Sequence, residues 1–299
     1  MTQSTKRVAA IHDLSGFGRC SLAVIIPILS IMKTQVCSIP TTILSSHTGG
    51  LGNIAVRDLS GYVKEAQLHY ERLQLEFDAI YTGYLGDVQH YIDTYEFLKA
   101  SKRGIKIVDP VMGDHGKPYR MVTLERIQKM IELVKEADVI TPNMTEVYLL
   151  LEEEYQHTSL QMTEYQNLLL RLASLGPKQV VITGAHVVDG SIANIGYDSV
   201  KEMFYVIPCY YSNVSYPGTG DIFASILTGG LLNQESLPCA IEKATRFLEY
   251  VIKKTLQTNS DTRFGVNLEQ HLSWLIEPRL TYKYQEIRNN ATIALHKRV

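Results

Sequence analysis

Short apolar, β-branched runs alternate along the chain with longer segments of helical periodicity. The run VAAI at 8–11 predicts a strand, and TQVCSIPTTIL at 34–44 is extended in the same way. Four later runs each lead from a predicted strand into a polar or glycine-rich loop: FDAIYTGYLG, IKIVDPVMGD, DVITPN and QVVITGAH. SIANIGY and KEMFYVIPCYY predict an antiparallel hairpin. Helices are predicted near 20–33, 88–102, 123–136, 145–154, 162–175, 220–232, 236–257 and 267–276.

Strands that alternate with helices of this length predict an α/β fold, with a mostly parallel sheet covered by helices on both faces. No internal repeat, low-complexity segment or linker divides the chain, so we expect a single domain over residues 1–299. In such a sheet, ligands bind beyond the carboxyl ends of the strands. Five polar residues stand at or just after predicted strands and are candidates for a site: Asp13, Asp109, Asn143, Thr183 and Asp221.

The composition limits the possible partners. Of the 299 residues, 45% are hydrophobic and 20% are charged, the net charge is −2, and lysine and arginine form no cluster. Binding to nucleic acid or to an anionic membrane is disfavoured because both need clustered positive charge. The longest apolar run, at 22–32, is too short to span a bilayer, and the N-terminal segment lacks a signal-peptide core. We therefore expect a cytoplasmic protein whose four scattered cysteines are free thiols.

The segment PGTGDIFAS at 217–225 joins a predicted strand to a predicted helix. Gly218 and Gly220 allow a sharp turn and a close approach to a ligand, and the start of a helix offers unpaired N–H groups to an anion. Asp221 would stay ionised there and could accept a proton from an alcohol. The alternative is that Thr219 is the N-cap and Asp221 a favourable first-turn acid. The segment alone fits both interpretations.

Two further segments carry acids after strands. In TPNMTE, Asn143 and Glu146 have the spacing of a capping box, and their oxygens could alternatively help to hold a hydrated Mg²⁺. Taken alone, this segment favours capping. In DPVMGDHGKPY, Asp109 ends a buried strand, where an unpaired carboxylate would be costly. The glycines after it predict a mobile, lid-like loop from which Lys117 could reach phosphates, with an ordinary surface turn as the alternative.

The loops SSHTGG (45–50) and TGYLGD (82–87) supply His47 and Tyr84, whose rings can stack on or hydrogen-bond a flat heteroaromatic ring. No metalloprotease HExxH, no GxSxG and no Walker A motif occurs. The first turn, HDLSGFG, is not a dinucleotide-binding fingerprint.

Six segments occur in the order typical of one family: SSHTGG, TGYLGD, DPVMGD, TPNMTE, VVITG and PGTGDIFAS. From about residue 7 to about residue 258, the chain resembles the ribokinase-like small-molecule kinases, and most closely their pyridoxal kinase branch. The resemblance implies a three-layer α/β/α fold and a homodimer. It also implies ATP-dependent phosphorylation of the 5′-hydroxymethyl group of pyridoxal, pyridoxine or pyridoxamine.

The resemblance further implies a role for each candidate residue. Asp221 would be the general base, and the backbone of Gly218, Thr219 and Gly220 would form an anion hole for the transferred phosphoryl group. The resemblance implies that ATP and its Mg²⁺ are bound by Asp109, Asn143, Glu146, Thr183 and Thr219, with Asp114 and Thr141 near the metal or a monovalent cation such as K⁺. The lid would contain Gly113, Lys117 and Tyr119. The pyridine ring would be contacted by Asp13, His47, Thr48 and Tyr84.

Two positions depart from the best-known pyridoxal kinases. Asp13 stands where they have serine, so that HDLSG looks more like the loop of hydroxymethylpyrimidine kinases, and an ionised Asp13 would prefer a protonated ring nitrogen or an amine. Gly184 stands where some members have serine. Asp221 favours pyridoxal kinase, because the final motif of the pyrimidine kinases resembles GTGC. Hydroxymethylpyrimidine kinase and a non-catalytic vitamer- or nucleotide-binding protein remain the alternatives, and residues 278–299 are assigned no function.

Overall fold

A sheet of eleven strands forms the centre of the protein in a computed structural model, which describes residues 5–156, 158–210, 214–288 and 293–294. The strands are β1 (Lys6–Ser15), β2 (Thr34–Leu44), β3 (Val56–Asp58), β4 (Ala79–Thr82), β5 (Ile105–Val108), β6 (Gly113–Asp114), β7 (Lys117–Pro118), β8 (Val139–Ile140), β9 (Gln179–His186), β10 (Ile192–Asp198), β11 (Met203–Cys209), β12 (Gln285–Arg288) and β13 (Ile293–Ala294). Of these, β6 and β7 form a separate two-stranded hairpin.

Eight α-helices of the described chain connect and cover these strands: α1 (Leu22–Ile31), α2 (Tyr62–Arg72), α3 (Val88–Ala100), α4 (Leu124–Lys135), α5 (Met144–Leu150), α6 (Met162–Ser174), α7 (Thr219–Leu232) and α8 (Leu237–Leu256). Two short 3₁₀ helices follow, at Thr262–Phe264 and Leu272–Leu275. Within the described ranges, no helix combines the length and apolar character that crossing a bilayer requires.

The sheet is parallel at its centre and antiparallel towards both edges. Its order is β13-β12-β11-β10-β9-β8-β5-β4-β1-β2-β3. The six central strands, β9-β8-β5-β4-β1-β2, run parallel to one another. At one edge β3 pairs antiparallel with β2, and at the other edge β10, β11, β12 and β13 each pair antiparallel with the strand before them. The predicted mostly parallel sheet and the predicted β10–β11 hairpin are confirmed.

Two hydrophobic cores lie on opposite faces of the sheet, and the residues of β1 alternate between them. Val8 and Ala10 belong to the core formed with α1, α7 and α8. Ala9 and Ile11 belong to the core formed with α2 to α6. Successive side chains of a strand point to opposite faces, so a strand buried on both faces reads as a continuous apolar run. This arrangement confirms the three-layer α/β/α architecture.

Two helix assignments differ from the sequence-based expectation. The helix predicted at 267–276 is wrong, because the segment contains only the 3₁₀ turn Leu272–Leu275. Its Trp274 packs against Phe247 and Tyr250 of α8, and this packing takes the place of a continuous helix. Helix α2 was not predicted. Its buried face consists only of Val63, Ala66 and Gln67, a stripe too narrow to give a clear helical period.

The segment after α8 adds to the sheet, although the sequence suggested no role for it. β12 pairs antiparallel with β11. Before it, the chain is attached to α8 by Glu242, whose carboxylate is fully buried. One oxygen of Glu242 accepts from the backbone N–H and the hydroxyl of Thr281 at 2.8 and 2.6 Å, and the other accepts from the N–H of Tyr282 at 3.1 Å.

Candidate active site

A cleft of about 1450 Å³ opens at the carboxyl ends of the parallel strands, where the sequence predicted a site. Most of the candidate residues line it: His47, Asp109, Asp114, Tyr119, Thr141, Asn143, Glu146, Thr183, Gly218, Thr219, Gly220 and Asp221. The other candidates are not among the lining residues: Asp13, Thr48, Tyr84, Gly113 and Lys117. The segments separated in the sequence therefore meet at one place, while the role of each residue stays a prediction.

Helix α7 begins on a glycine that no other residue could replace without strain. Gly218 is the N-cap, with φ of 78°, and a Cβ atom added there would lie 2.2 Å from the carbonyl oxygen of Arg19. The alternative interpretation of Thr219 as the N-cap is wrong, because Thr219 is the first residue of the helix and its hydroxyl donates to the carbonyl of Tyr216. The first N–H groups of a helix have no partner within it, and Gly218, Thr219 and Gly220 line the cleft, so these groups could bind an anion there.

Asp221 stands in the first turn of α7, as predicted, and its two carboxylate oxygens have different partners. Oδ2 accepts a hydrogen bond of 2.8 Å from the backbone N–H of Ser21. Oδ1 lies 3.0 Å from Nε2 of His12. The side chain keeps 12% of its surface exposed, in the cleft, so it remains within reach of a bound alcohol.

His12 is a residue of the site that the sequence reasoning missed. Its ring is 1% exposed, and its Nδ1 lies 2.8 Å from Oδ1 of Asp13. Burial lowers the pKa of His12, but the charge of Asp221 and the contacts with both carboxylates outweigh it and raise this pKa to about 10. The signal in the sequence was a histidine that follows directly on an apolar strand run, because a buried polar residue is the informative exception in a core.

The carboxylate of Asp13 is engaged within the protein. It is 3% exposed, contacts His12, and accepts a hydrogen bond of 2.9 Å from the hydroxyl of Ser15. Burial raises the pKa of Asp13, but the hydrogen bond and charge of His12, with the hydroxyls of Ser21 and Ser15, lower it overall. Asp13 is therefore an ionised group that pairs with His12.

Asp109 and Glu146 are two buried carboxylates that line the cleft. Oδ1 of Asp109 accepts from the hydroxyl of Thr141 at 2.9 Å. Burial and the charge of Asp221 raise the pKa of Asp109, against the effect of this hydrogen bond. Burial and the charge of Asp109 raise the pKa of Glu146 well above its usual range. The surroundings of both carboxylates therefore disfavour their ionised forms, and a bound cation would stabilise those forms.

The capping box of TPNMTE is confirmed, and its side chains also hold the predicted lid. Asn143 accepts from the N–H of Glu146, and Glu146 accepts in return from the N–H of Asn143. The amide of Asn143 also donates to the carbonyl of Gly113 at 2.9 Å, and Glu146 accepts from the N–H of Met112. Helix α5 therefore carries the segment that follows Asp109.

The segment for which the sequence predicted a mobile, lid-like loop forms the hairpin β6–β7, which is a more regular structure. The turn residues His115 and Gly116 both have positive φ, 51° and 78°, as a tight two-residue hairpin turn requires. The N–H of Gly116 donates to the hydroxyl of Thr145 in α5 at 2.8 Å. Lys117 and Tyr119 are exposed at the rim.

The acidic side of the cleft fits a hard cation such as Mg²⁺. Its donors are the carboxylates of Asp109, Asp114 and Glu146, the hydroxyl of Thr141 and the amide of Asn143, all oxygen ligands in the chemistry that Mg²⁺ prefers. Across the described residues, no group of three or more His, Cys, Asp or Glu side chains is arranged to hold a metal ion alone.

His47 is fixed by the backbone on both sides of its ring. Nδ1 accepts from the N–H of Gly49 at 3.0 Å, and Nε2 lies 2.6 Å from the carbonyl oxygen of Arg263, so the proton is on Nε2. A Cβ atom at Gly18 would lie 2.1 Å from the ring, which explains the glycine there. Arg263 comes from the 3₁₀ helix after α8, a contribution that the sequence did not indicate.

Four aromatic residues that the sequence reasoning missed also line the cleft: Tyr165, Tyr216, Tyr250 and Trp274. The rings of Tyr250 and Trp274 are stacked at an interplanar angle of 23°. Lys253, one helical turn after Tyr250, lines the cleft as well. These residues lie on four separate segments, so no local motif signals their proximity.

The fold and the cleft define a kinase of the ribokinase-like α/β class, a phosphotransferase with an alcohol group as acceptor. The chain belongs to the phosphomethylpyrimidine kinase family, whose model matches residues 28–265.

Three similar proteins illustrate the spread of this family. A Bacteroides thetaiotaomicron protein described as a phosphomethylpyrimidine kinase has 38% identity and a TM-score of 0.91, covering 96% of this chain and 99% of its own. The pyridoxal kinase of Lactobacillus plantarum has 31% identity and a TM-score of 0.84, covering 91% and 97%. The hydroxymethylpyrimidine/phosphomethylpyrimidine kinase of Aquifex aeolicus is 30% identical over 54% of this chain and 61% of its own.

Proposed function

We propose that the protein is an ATP-dependent kinase of the 5′-hydroxymethyl group of pyridoxal, pyridoxine or pyridoxamine. The observation that carries the proposal is the carboxylate of Asp221 in the first turn of α7, exposed only to the cleft and held by Ser21 and His12. The crystal form of the Bacteroides thetaiotaomicron relative that contains pyridoxal supports the choice of substrate class.

In this proposal, the residues around Asp221 have simple roles in the reaction. Asp221 accepts the proton of the substrate hydroxyl as that oxygen forms its bond to the γ-phosphorus of ATP. The bond from this phosphorus to the bridging oxygen breaks, ADP leaves, and the proton passes to solvent. The N–H groups of Gly218, Thr219 and Gly220 stabilise the charge on the transferred group, and each such donor is typically worth about 3 kcal/mol of barrier.

The acidic side of the cleft would hold Mg²⁺ and ATP in this proposal. Asp109 and Glu146 would bind the ion or its waters, with Asp114 and Thr141 near it or near a monovalent cation such as K⁺. Bound Mg²⁺ neutralises phosphate charge. Thr183 would contact the phosphates, and the β6–β7 hairpin would cover them. The stacked rings of Tyr250 and Trp274 would contact the adenine ring. We also propose that residues 1–299 act as a single domain and assemble as a homodimer.

Hydroxymethylpyrimidine phosphorylation is the second candidate function. It is favoured by the loop HDLSG, by the family description and by the Aquifex aeolicus relative. Asp221 favours the B6 vitamers, because the final motif of the hydroxymethylpyrimidine kinases resembles GTGC, with cysteine in place of this aspartate. A third possibility, a non-catalytic binder, would not need a carboxylate held in this position.

A coupled assay of ADP formation, with Mg²⁺, ATP and a panel of alcohols, tests the proposal. We expect turnover with at least one of pyridoxal, pyridoxine and pyridoxamine, and 5′-phosphate product by chromatography. Turnover with the pyrimidine alcohol alone would replace the proposal by the second candidate. Binding of a vitamer without any ADP would favour the non-catalytic alternative.

A further inference from the structure

We propose that His12 is a positioning residue, which holds the carboxylate of Asp221 in its working orientation and is itself held by Asp13. The inference rests on the proposed function, in which Asp221 is the general base. It adds a three-residue chain, Asp13–His12–Asp221, that links the end of strand β1 to the first turn of α7.

The ring of His12 is held in one place by its surroundings. It is 1% exposed, and its two nitrogens lie 2.8 Å from Asp13 and 3.0 Å from Asp221. The ring of Tyr81 meets it edge-on, with centroids 6.5 Å apart. A Cβ atom at Gly83 would lie 2.1 Å from Nε2, so the absence of a side chain there leaves the room that the imidazole occupies.

His12 completes the set of contacts that fix Asp221. The N–H of Ser21 donates to one oxygen of the Asp221 carboxylate, and the imidazole contacts the other oxygen. A carboxylate with only one of these two contacts could rotate about its side-chain bonds. The contact also supplies charge, because Asp109 and Asp221 are two acids that repel each other across the cleft floor. An imidazolium beside Asp221 offsets that repulsion.

The groups around the ring favour its doubly protonated form. Carboxylates face it from its own strand (Asp13), from α7 (Asp221) and, at longer range, from the end of β5 (Asp109). The hydroxyl-bearing ring of Tyr81 faces it from β4, and the thiol of Cys20 lies in the field of the same acids.

Two backbone N–H groups also lie near the ring nitrogens. The N–H of Asp13 lies 2.9 Å from Nδ1, and that of Tyr84 lies 3.2 Å from Nε2. A neutral ring could accept from only one of them, at its unprotonated nitrogen, whereas a doubly protonated ring donates to both carboxylates. Because the raised pKa of His12 results from those same carboxylates, the charged form is the one that links them at neutral pH.

Kinetics of His12→Gln, with Asp13→Asn as a second variant, test the positioning role. We expect kcat to fall about 10- to 100-fold in His12→Gln, as for a catalytic group displaced by about 1 Å, with KM for ATP nearly unchanged. The pH profile of kcat should change as well, because the substitution removes an imidazole whose pKa is raised by its contacts with both carboxylates. Asp13→Asn should produce a smaller change in the same direction.

His90→Gln is the matched control. His90 is also fully buried and also faces a carboxylate, that of Asp58 at 3.0 Å, but it lies in α3 outside the cleft. Its kcat and pH profile should equal those of the wild type. A folded His12→Gln protein with the same kcat and the same pH profile as the wild type would overturn the proposal.

A second measurement needs neither substrate nor turnover. Nuclear magnetic resonance of protein labelled with ¹⁵N-histidine should show His12 doubly protonated at neutral pH, and Asp221→Asn should shift its ring signals and lower the pH at which it loses a proton. Unchanged ring signals in Asp221→Asn would refute the contact, even where His12→Gln fails to fold. Failure of the proposed function has a different signature, the absence of phosphorylated product from the wild type with every alcohol.

Discussion

The carboxylate of Asp221 accepts a hydrogen bond of 2.8 Å from the backbone N–H of Ser21, a residue 200 positions earlier in the chain. The two residues lie at the starts of α7 and α1, and these helices pack side by side on one face of the sheet. A Cβ atom added at Gly218 would lie 2.2 Å from the carbonyl oxygen of Arg19, at the same junction. The loop after β1 therefore packs against the start of α7 and fixes the carboxylate of Asp221.

Replacing Asp221 by asparagine should remove turnover without unfolding the protein. The amide oxygen can still accept from Ser21, but it cannot take a proton from the substrate, so kcat should fall by roughly 10²- to 10⁴-fold. The coupled ADP assay measures kcat, and thermal unfolding checks the fold. Asp189→Asn, in the exposed turn before β10, is the control with unchanged kcat. A fall of less than tenfold would remove Asp221 from the role of base.

Gly218→Ala should destabilise the protein more than Gly190→Ala. Both glycines have positive φ, 78° and 83°, so alanine costs about 1–2 kcal/mol of backbone strain at either position. Only at Gly218 does the added Cβ meet another atom, the carbonyl oxygen of Arg19 at 2.2 Å, whereas at Gly190 no atom lies within 4 Å. Urea unfolding compares the two. Equal losses would mean that the contact with Arg19 does not constrain this turn.

Asp109→Asn should stabilise the metal-free protein at about pH 8 while removing turnover. The folded pKa of Asp109 is raised, so above it the ionised carboxylate costs folding free energy, which the neutral amide does not. Asp13→Asn should act in the opposite direction, because the folded pKa of Asp13 is lowered and its charge stabilises the fold. Thermal unfolding with a chelator present measures both. A lower unfolding temperature for Asp109→Asn would contradict the assigned electrostatics.

The stability difference between the wild type and His12→Gln should depend on pH. The folded pKa of His12, about 10, lies above its unfolded value of about 6.5. The contribution of His12 is therefore fully present below about pH 6.5 and is lost as the pH rises through about 10. Urea unfolding at about pH 6, 8 and 10 should show the difference shrinking at the highest pH. A constant difference would mean that the ring is neutral in the folded protein.

Glu242→Ala should loosen the segment that carries β12. It removes the buried acceptor of three hydrogen bonds, two from Thr281 and one from Tyr282. Hydrogen bonds to a charged group contribute about 1.5–3 kcal/mol each, so a loss of that order or more is expected. Hydrogen exchange should accelerate in Gln285–Arg288. The control is Glu76→Ala, which removes an exposed ion pair with Arg103. Unchanged protection of β12 would show that Glu242 does not anchor this segment.

Predictions from local sequence were accurate where residues of a single helix determine the structure. The capping box of Asn143 and Glu146 and the position of Asp221 in a first turn follow from contacts three or four residues apart. The same reasoning placed the N-cap of α7 one residue too late, at Thr219. The deciding contact, between Gly218 and Arg19, joins residues far apart in the sequence.

The sequence by itself determined the layered α/β fold, because apolar runs on strands and helical periods on the connecting segments are local consequences of burial. It also determined which acids stand at the binding edge, because the carboxyl ends of parallel strands share that edge. Only the tertiary structure decided what those acids contact. The imidazole of His12 between Asp13 and Asp221, the carbonyl of Arg263 on His47 and the stacked rings of Tyr250 and Trp274 all join residues of separate elements. Such contacts depend on how the layers pack, and packing over long sequence separations leaves no periodic signal in the sequence.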